Sequence, residues 1–118
     1  MDCLFCRMVA GDVPATVVHE TDRTLAFRDI NPQAPTHVLV IPKAHHPTVA
    51  TLASDDPDLL GAVIRAARQV AVQEGLATED GVEPGYRLVT NTGPAAGQTV
   101  HHVHLHLLGG RDLGWPPG

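Results

Sequence analysis

The chain has 118 residues, of which 43% are hydrophobic and 18% charged, and its formal net charge is −5. This length and composition predict one globular domain over residues 1–118 and argue against a disordered chain. The negative charge argues against a broad basic surface for long nucleic acid, and no apolar run approaches the roughly 20 residues that span a bilayer. We therefore expect a cytoplasmic protein that binds neither long nucleic acid nor a membrane.

The first half of the chain predicts a short helix followed by three strands. Residues Leu4 to Val9 favour a turn or short helix. Residues Thr16 to Glu20 and Thr24 to Asp29 predict two strands around a turn, and therefore a hairpin. The segment His37 to Ile41 is apolar and rich in β-branched residues, which favours a central strand that Pro42 stops.

The second half predicts one long helix and two further strands. Ser54 is a capping residue followed by two acids and Pro57, a pattern typical of a helix N-terminus. Apolar residues then recur at helical spacing, and Gly75 can supply the left-handed residue after the helix. Tyr86 to Asn91 and His101 to Leu108 predict the remaining strands. The expected fold is α+β, with an antiparallel sheet of about five strands, one long helix and a short N-terminal helix.

The last predicted strand carries an unusual row of histidines. Alternate side chains of a strand share a face, so His102, His104 and His106 would lie about 6.6 Å from one to the next. A single zinc ion, with bonds of roughly 2.0–2.1 Å, would need a severe bend to bind all three. The interleaved apolar residues indicate a structural strand rather than an affinity tag. Neutral imidazole is a nucleophile near neutral pH, so the pattern indicates catalysis at phosphorus.

This segment resembles the histidine triad family, whose motif is His-x-His-x-His followed by apolar residues and preceded by Gly-Gln. The chain reads Gly97-Gln98-Thr99-Val100-His101-His102-Val103-His104-Leu105-His106-Leu107-Leu108. The similarity extends over nearly the whole chain, through residues 26–30, 32–37, 40–43, 91 and 109–111. The ending Trp-Pro-Pro-Gly, residues 115–118, is similar to the Hint branch of the family in particular. The resemblance implies the histidine triad fold.

The resemblance also implies a role for each site residue. His104 would attack the α-phosphorus and form a nucleotidyl-histidine intermediate, which water then releases. His37 and His102 would orient or tune that imidazole. His106 and Asn91 would contact phosphate oxygens. The other implied substrate contacts are the ribose-binding acid Asp29, the base-pocket residues Phe27 and Ile30, the loop residues Gly97, Gln98 and Thr99, with the Thr99 hydroxyl near the leaving group, and Trp115 in the tail.

Two cysteines, Cys3 and Cys6, have the spacing of a metal or redox pair. A four-coordinate zinc site needs two more ligands, and histidines are available in both histidine clusters. The resemblance to bacterial members of the family implies His45 and His102. Such a zinc ion would be structural, because a closed set of four ligands leaves no position for water, and catalysis would need no cofactor. A redox pair is disfavoured outside a βαβ context, and inert thiols without metal remain an alternative.

The resemblance implies a purine nucleoside phosphoramidase that acts on AMP or GMP derivatives. The protein would be a homodimer, in which the C-terminal segment lies near the active site of the partner. A dinucleoside polyphosphate hydrolase would use the same histidines and is the nearest alternative. A zinc-binding interaction module with a vestigial nucleotide site is a third possibility. A uridylyltransferase is disfavoured because that branch has glutamine where this chain has His106.

Overall fold

The computed structural model describes residues 3–118 and contains a five-stranded antiparallel sheet with helices on both faces. The strands are β1 (Val17–Glu20), β2 (Thr24–Arg28), β3 (Thr36–Pro42), β4 (Tyr86–Val89) and β5 (Leu105–Gly109). The helices are α1 (Leu4–Val9), α2 (Val49–Asp55) and α3 (Pro57–Gln73), with a 3-10 turn at Pro94–Ala96. The strand order across the sheet is β1-β2-β3-β5-β4, which confirms the predicted α+β fold. Strands β1, β2 and β4 lie within their predicted ranges.

The beginning of the long helix differs from the prediction. Thr48 and Thr51 form a reciprocal capping box that starts α2, a helix that the sequence analysis did not predict. Ser54 therefore lies inside α2 and caps nothing. The cap of α3 is Asp56, whose carboxylate accepts a hydrogen bond from the backbone N–H of Leu59 at 3.0 Å. Proline at the next position suits the start of a helix because its missing N–H would have no partner there.

One face of α3 forms the larger core. Leu59, Val63 and Val70 are completely buried in a cluster that also contains sheet residues. The helix ends at Gln73, and Gly75 has a φ of +77°, so the predicted left-handed residue is present. None of the helices in residues 3–118 is long and apolar enough to cross a membrane.

The central strand β3 is buried along its whole length and on both faces. Val38 and Val40 belong to the cluster that contains α3, and Leu39 and Ile41 belong to a second cluster that contains Phe5 of α1. Full burial of such a side chain is worth about 1.5–3 kcal/mol. The strand is therefore a firm support for the histidine near its beginning.

The last strand begins at Leu105, so the segment before it is not part of the sheet, and the predicted boundary is wrong. The Nε2 of His102 lies 2.8 Å from the carbonyl oxygen of Pro42, and the backbone N–H of Val103 donates to the carbonyl of His46 at 2.8 Å. These contacts draw the segment away from the sheet ladder. The three motif histidines consequently do not form the evenly spaced row that a strand would give.

Candidate active site

The central histidine of the motif is held in one tautomer by the main chain. The Nδ1 of His104 lies 2.9 Å from the carbonyl oxygen of His102. A carbonyl can only accept, so Nδ1 carries the hydrogen and the Nε2 atom keeps its lone pair. The ring is half-buried between its neighbours and packs edge-on against Phe5, with 5.2 Å between ring centroids. His104 thus has an oriented nitrogen with a free lone pair.

A second chain of hydrogen bonds fixes the tautomer of His106. The backbone N–H of Gln33 donates to Nδ1 of His37 at 3.0 Å, so the hydrogen of a neutral His37 is on Nε2. That atom lies 2.9 Å from Nδ1 of His106, which must therefore accept. The hydrogen of His106 is then on Nε2. An Oδ2 atom of Asp29 lies 3.4 Å from Nε2 of His37 and stabilises the same hydrogen.

The environment keeps His106 uncharged. Burial lowers its pKa to about 4, and the neighbouring His104 and His37 contribute to the shift in the same direction. The ring centroids of His104 and His106 are 5.1 Å apart. With both rings neutral, the site combines an oriented lone pair on His104 with an N–H on His106, a pair suited to an electrophile that carries an anionic oxygen.

We expect this buried histidine to make the protein sensitive to acid. The pKa of His106 is about 4 in the folded protein against 6.5 as its ordinary value, so the unfolded chain binds more protons between these pH values. The contribution of neutral His106 to the free energy of unfolding is therefore present in full above pH 6.5 and is lost as the pH falls toward about 4. The melting temperature, measured at several pH values across this interval, should fall more steeply with decreasing pH for wild type than for His106→Gln. The control His101→Gln, at an exposed position, should keep the wild-type slope; equal slopes for all three proteins would contradict the prediction.

An apolar cavity of about 390 Å³ is linked to these histidines through two of its lining residues, Phe5, which packs against His104, and Asp29, which lies 3.4 Å from His37. Phe27, Asp29 and Ile30 line it, as does helix α1 through Leu4, Phe5 and Met8. Phe27 is buried, whereas Ile30 is 100% exposed and offers its side chain to a ligand. A mostly apolar lining with one carboxylate suits a flat aromatic group joined to a hydroxyl-bearing group.

The two cysteines and two histidines form a second cluster, whose geometry fits zinc. The Nδ1 of His102 lies 3.3 Å from Sγ of Cys3 and 3.6 Å from Sγ of Cys6. The Nδ1 of His45 lies 3.4 Å from Sγ of Cys6 and 3.2 Å from Nδ1 of His102. A tetrahedral zinc site places sulfur and nitrogen ligands about 3.6 Å apart and two nitrogens about 3.3 Å apart. The Nε2–H of His102, held by the Pro42 carbonyl, leaves Nδ1 free to bind a metal.

The side chain of Gln98 holds the loop before the motif in place, and the expected contact of this loop with substrate stays a prediction. The Gln98 side chain is buried and accepts from the backbone N–H of Gly93 at 2.9 Å. Its amide nitrogen donates to the carbonyls of Pro47 at 2.7 Å and Val100 at 3.2 Å. Gln98 therefore ties the loop to the segment that carries His45.

The remaining expected contacts lie away from the cavity lining in the described residues. Trp115 is 82% exposed in the tail, and its expected contact is with a partner subunit. The lining of the cavity as far as residues 3–118 define it does not include Asn91, Gly97 or Thr99, whose roles stay predictions. Sequence reasoning missed the wall formed by α1, although the apolar residues between and after the cysteines could have indicated it.

Comparison with known proteins identifies the family of the chain. The HIT domain family model matches residues 10–113, so the chain belongs to the HIT domain family. The chain is similar to the purine nucleoside phosphoramidase of Escherichia coli (strain K12), with 44% identity over 96% of this chain and 91% of that protein. It is also similar to the 14 kDa zinc-binding protein of Zea mays, with 46% identity over 98% of this chain and 87% of that protein.

The fold is shared with solved members of the family. The crystal structure of a HIT family hydrolase from Legionella pneumophila Philadelphia 1 has a TM-score of 0.91 and 52% identity. The match covers 99% of this chain and 100% of that one. The predicted histidine triad fold is thereby confirmed.

Proposed function

We propose that this protein hydrolyses purine nucleoside 5′-monophosphoramidates to the nucleoside monophosphate through a nucleotidyl-histidine intermediate on His104. The observation that carries the proposal is the hydrogen bond from Nδ1 of His104 to the His102 carbonyl, which leaves Nε2 as a lone-pair donor on a ring that packs against Phe5 of the cavity lining. The similarity to a protein named purine nucleoside phosphoramidase supports the same reaction.

The reaction proceeds in two displacements at the α-phosphorus. In the first, the Nε2 lone pair of His104 forms a phosphorus–nitrogen bond, the bond to the leaving amine breaks, and the amine takes a proton. The hydroxyl of Thr99 is the proposed proton donor, and solvent replaces its proton. In the second, water forms a phosphorus–oxygen bond, the bond between phosphorus and Nε2 of His104 breaks with its electron pair returning to the imidazole, and the proton lost by water passes to solvent. Binding the reacting atoms in one geometry makes both steps effectively unimolecular.

The neighbouring residues bind the substrate during these steps. The Nε2–H of His106 donates to a non-bridging phosphate oxygen and, being neutral, adds no proton of its own. The carboxylate of Asp29 accepts hydrogen bonds from the ribose hydroxyls. The base lies in the apolar cavity against Phe27 and Ile30. These contacts account for a purine nucleotide as the ligand.

An activity assay tests the proposal. Purified protein is incubated with an aminoalkyl AMP phosphoramidate, its GMP analogue, and diadenosine polyphosphates in parallel, and the released nucleotide is measured. Release of AMP or GMP from the phosphoramidates is the expected result. Release from the diadenosine polyphosphates alone would favour the alternative hydrolase. Absence of release from all substrates would favour an interaction module.

We propose further that Cys3, Cys6, His45 and His102 bind one structural zinc ion. The four donor atoms lie within 4.8 Å of one another, and the measured separations agree with a tetrahedral site to within about 0.3 Å. The similarity to a protein named as zinc-binding supports this choice of metal. A bound ion would fix the position of His102, whose carbonyl orients the nucleophile.

We expect the protein to be a homodimer. A domain of this size has a modest core, and the outer strands β1 and β4 each have one unpaired edge. Light scattering at micromolar protein concentration should give twice the mass of the chain. A monomer mass under those conditions would contradict the prediction. Removal of the tail from Trp115 onward provides a variant whose activity can be compared with that of wild type in the same oligomeric state.

A further inference from the structure

Helix α1 contributes to both proposed sites at once. Cys3, at its N-cap, and Cys6, one turn later, contact His45 and His102. The residues between and after them, Leu4, Phe5 and Met8, line the apolar cavity. Positions three apart on a helix lie on one face, so one side of α1 faces the cysteine–histidine cluster and another faces the nucleotide cavity.

Phe5 connects the two sites physically. It is 4% exposed, and its ring packs edge-on against His104 at a centroid distance of 5.2 Å and against His102 at 5.8 Å. It also contacts Phe27, another residue of the cavity lining, at a centroid distance of 5.6 Å. A displacement of this ring therefore affects the base pocket and the packing around the nucleophile together.

The attachment of α1 to the remainder of the protein is limited. The helix has six residues, and a helix of this length has little stability of its own in water. Between residues 3 and 118, the hydrogen bonds from its side chains to other elements are those of the two thiols to imidazole nitrogens. Its other contacts are apolar, in the smaller of the two clusters. The position of α1 thus depends on the cysteine–histidine cluster on one side and on the apolar packing around Phe5 on the other.

From these contacts we propose that Phe5 is a positioning residue through which α1 couples metal binding to nucleotide binding. The proposal rests on the nucleotide and zinc sites proposed above. Zinc at the cluster fixes α1, and the fixed helix presents Phe5 to the nucleotide. Two ligands that order the same element each reduce the cost of ordering for the other, so the coupling is positive. By linkage, AMP must raise zinc affinity by the same factor as zinc raises AMP affinity.

Titration calorimetry measures both sides of this coupling. The dissociation constant of AMP is determined for zinc-loaded and zinc-free wild type, and that of zinc is determined with and without saturating AMP. We expect about a 5- to 150-fold increase in affinity in each direction, the usual range of coupling between sites. Hydrogen exchange of the α1 amides provides a second measurement, with zinc removal lowering their protection while β3 keeps its own.

Variants at Phe5 distinguish a positioning role from a general structural one. The coupling factor should fall toward one in Phe5→Ala, because the shortened side chain no longer joins the two sites. Phe5→Leu retains apolar bulk and should recover most of the coupling. Val9→Ala is the matched control, since Val9 packs in the same cluster without lining the cavity, and it should keep the wild-type factor.

Each contrary result has a separate meaning. If zinc and AMP both bind but their affinities are independent, or Phe5→Ala keeps the wild-type factor, the coupling is wrong while the two sites stand. If zinc does not bind, the metal assignment fails and the coupling with it. If AMP binds neither form, the proposed function fails as well. If zinc removal lowers protection throughout the sheet, the effect is global unfolding and the route through α1 is wrong.

Discussion

His104→Ala is expected to lower turnover of a nucleoside phosphoramidate by several orders of magnitude while AMP binding is largely retained. The lost Nε2 atom forms the bond to phosphorus, and the neighbouring His106 has its hydrogen on Nε2 and its lone pair occupied by His37. His106 therefore cannot replace His104 as the nucleophile. Single-turnover kinetics and AMP titration measure the two quantities separately.

A rapid-quench experiment tests the covalent intermediate directly. Wild type mixed with labelled substrate should retain acid-labile, base-stable label, as expected of a phosphorus–imidazole bond, and His104→Ala should retain none. His106→Ala should show a smaller loss, since it removes one phosphate contact. His101→Ala, in the same segment but exposed, should behave as wild type. Turnover by His104→Ala at about a tenth of the wild-type rate would refute the covalent mechanism.

Replacement of both Cys3 and Cys6 by serine is expected to remove bound zinc and to destabilise the fold. The zinc content found by metal analysis should fall from close to one equivalent per chain to none, because two of the four ligands are lost. A ligand at 1,000 times its dissociation constant stabilises the folded state by about 4.1 kcal/mol, so the loss should be visible as a large fall in melting temperature.

The exposed residue Arg7 provides the control for this experiment. Arg7→Ser changes the same helix to the same residue type without touching the metal cluster, and it should keep both zinc and most of the stability. Wild-type protein that contains no zinc after purification without chelator would contradict the metal assignment. So would a double serine variant that retains one equivalent.

Local patterns predicted most of the elements because their signals lie in neighbouring residues. The apolar, β-branched run of β3 and the left-handed Gly75 that follows α3 are signals of this kind. The prediction failed where two local signals compete, as at Ser54, where an earlier capping box starts α2 and Asp56 caps the next helix. It also failed where a distant partner decides. The contact of His102 with the Pro42 carbonyl, across 60 positions of sequence, removes this histidine from the strand.

The site shows the same division between local and distant information. The motif itself singled out the central histidine, because His-x-His-x-His with interleaved apolar residues is visible in the sequence alone. The tautomers were not predictable, since they depend on the main-chain groups of Gln33 and His102. The wall that α1 contributes had a local signal in the apolar residues around the cysteines, but the packing of this helix against the sheet depends on residues distant in sequence.

The hydrogen-bond chain that begins at Gln33 has a direction, and the direction is set by a main-chain amide. Every residue except proline carries that N–H, so the side chain at position 33 is free to vary without altering which nitrogen of His106 bears a hydrogen. Proline at this position would delete the donor, release His37 to adopt its other tautomer, and allow His106 to present a lone pair where the phosphate oxygen needs a hydrogen. The hydrogen-bonding polarity of the site is therefore determined by the backbone of the loop at 31–35, and the side chains of that loop do not reveal it.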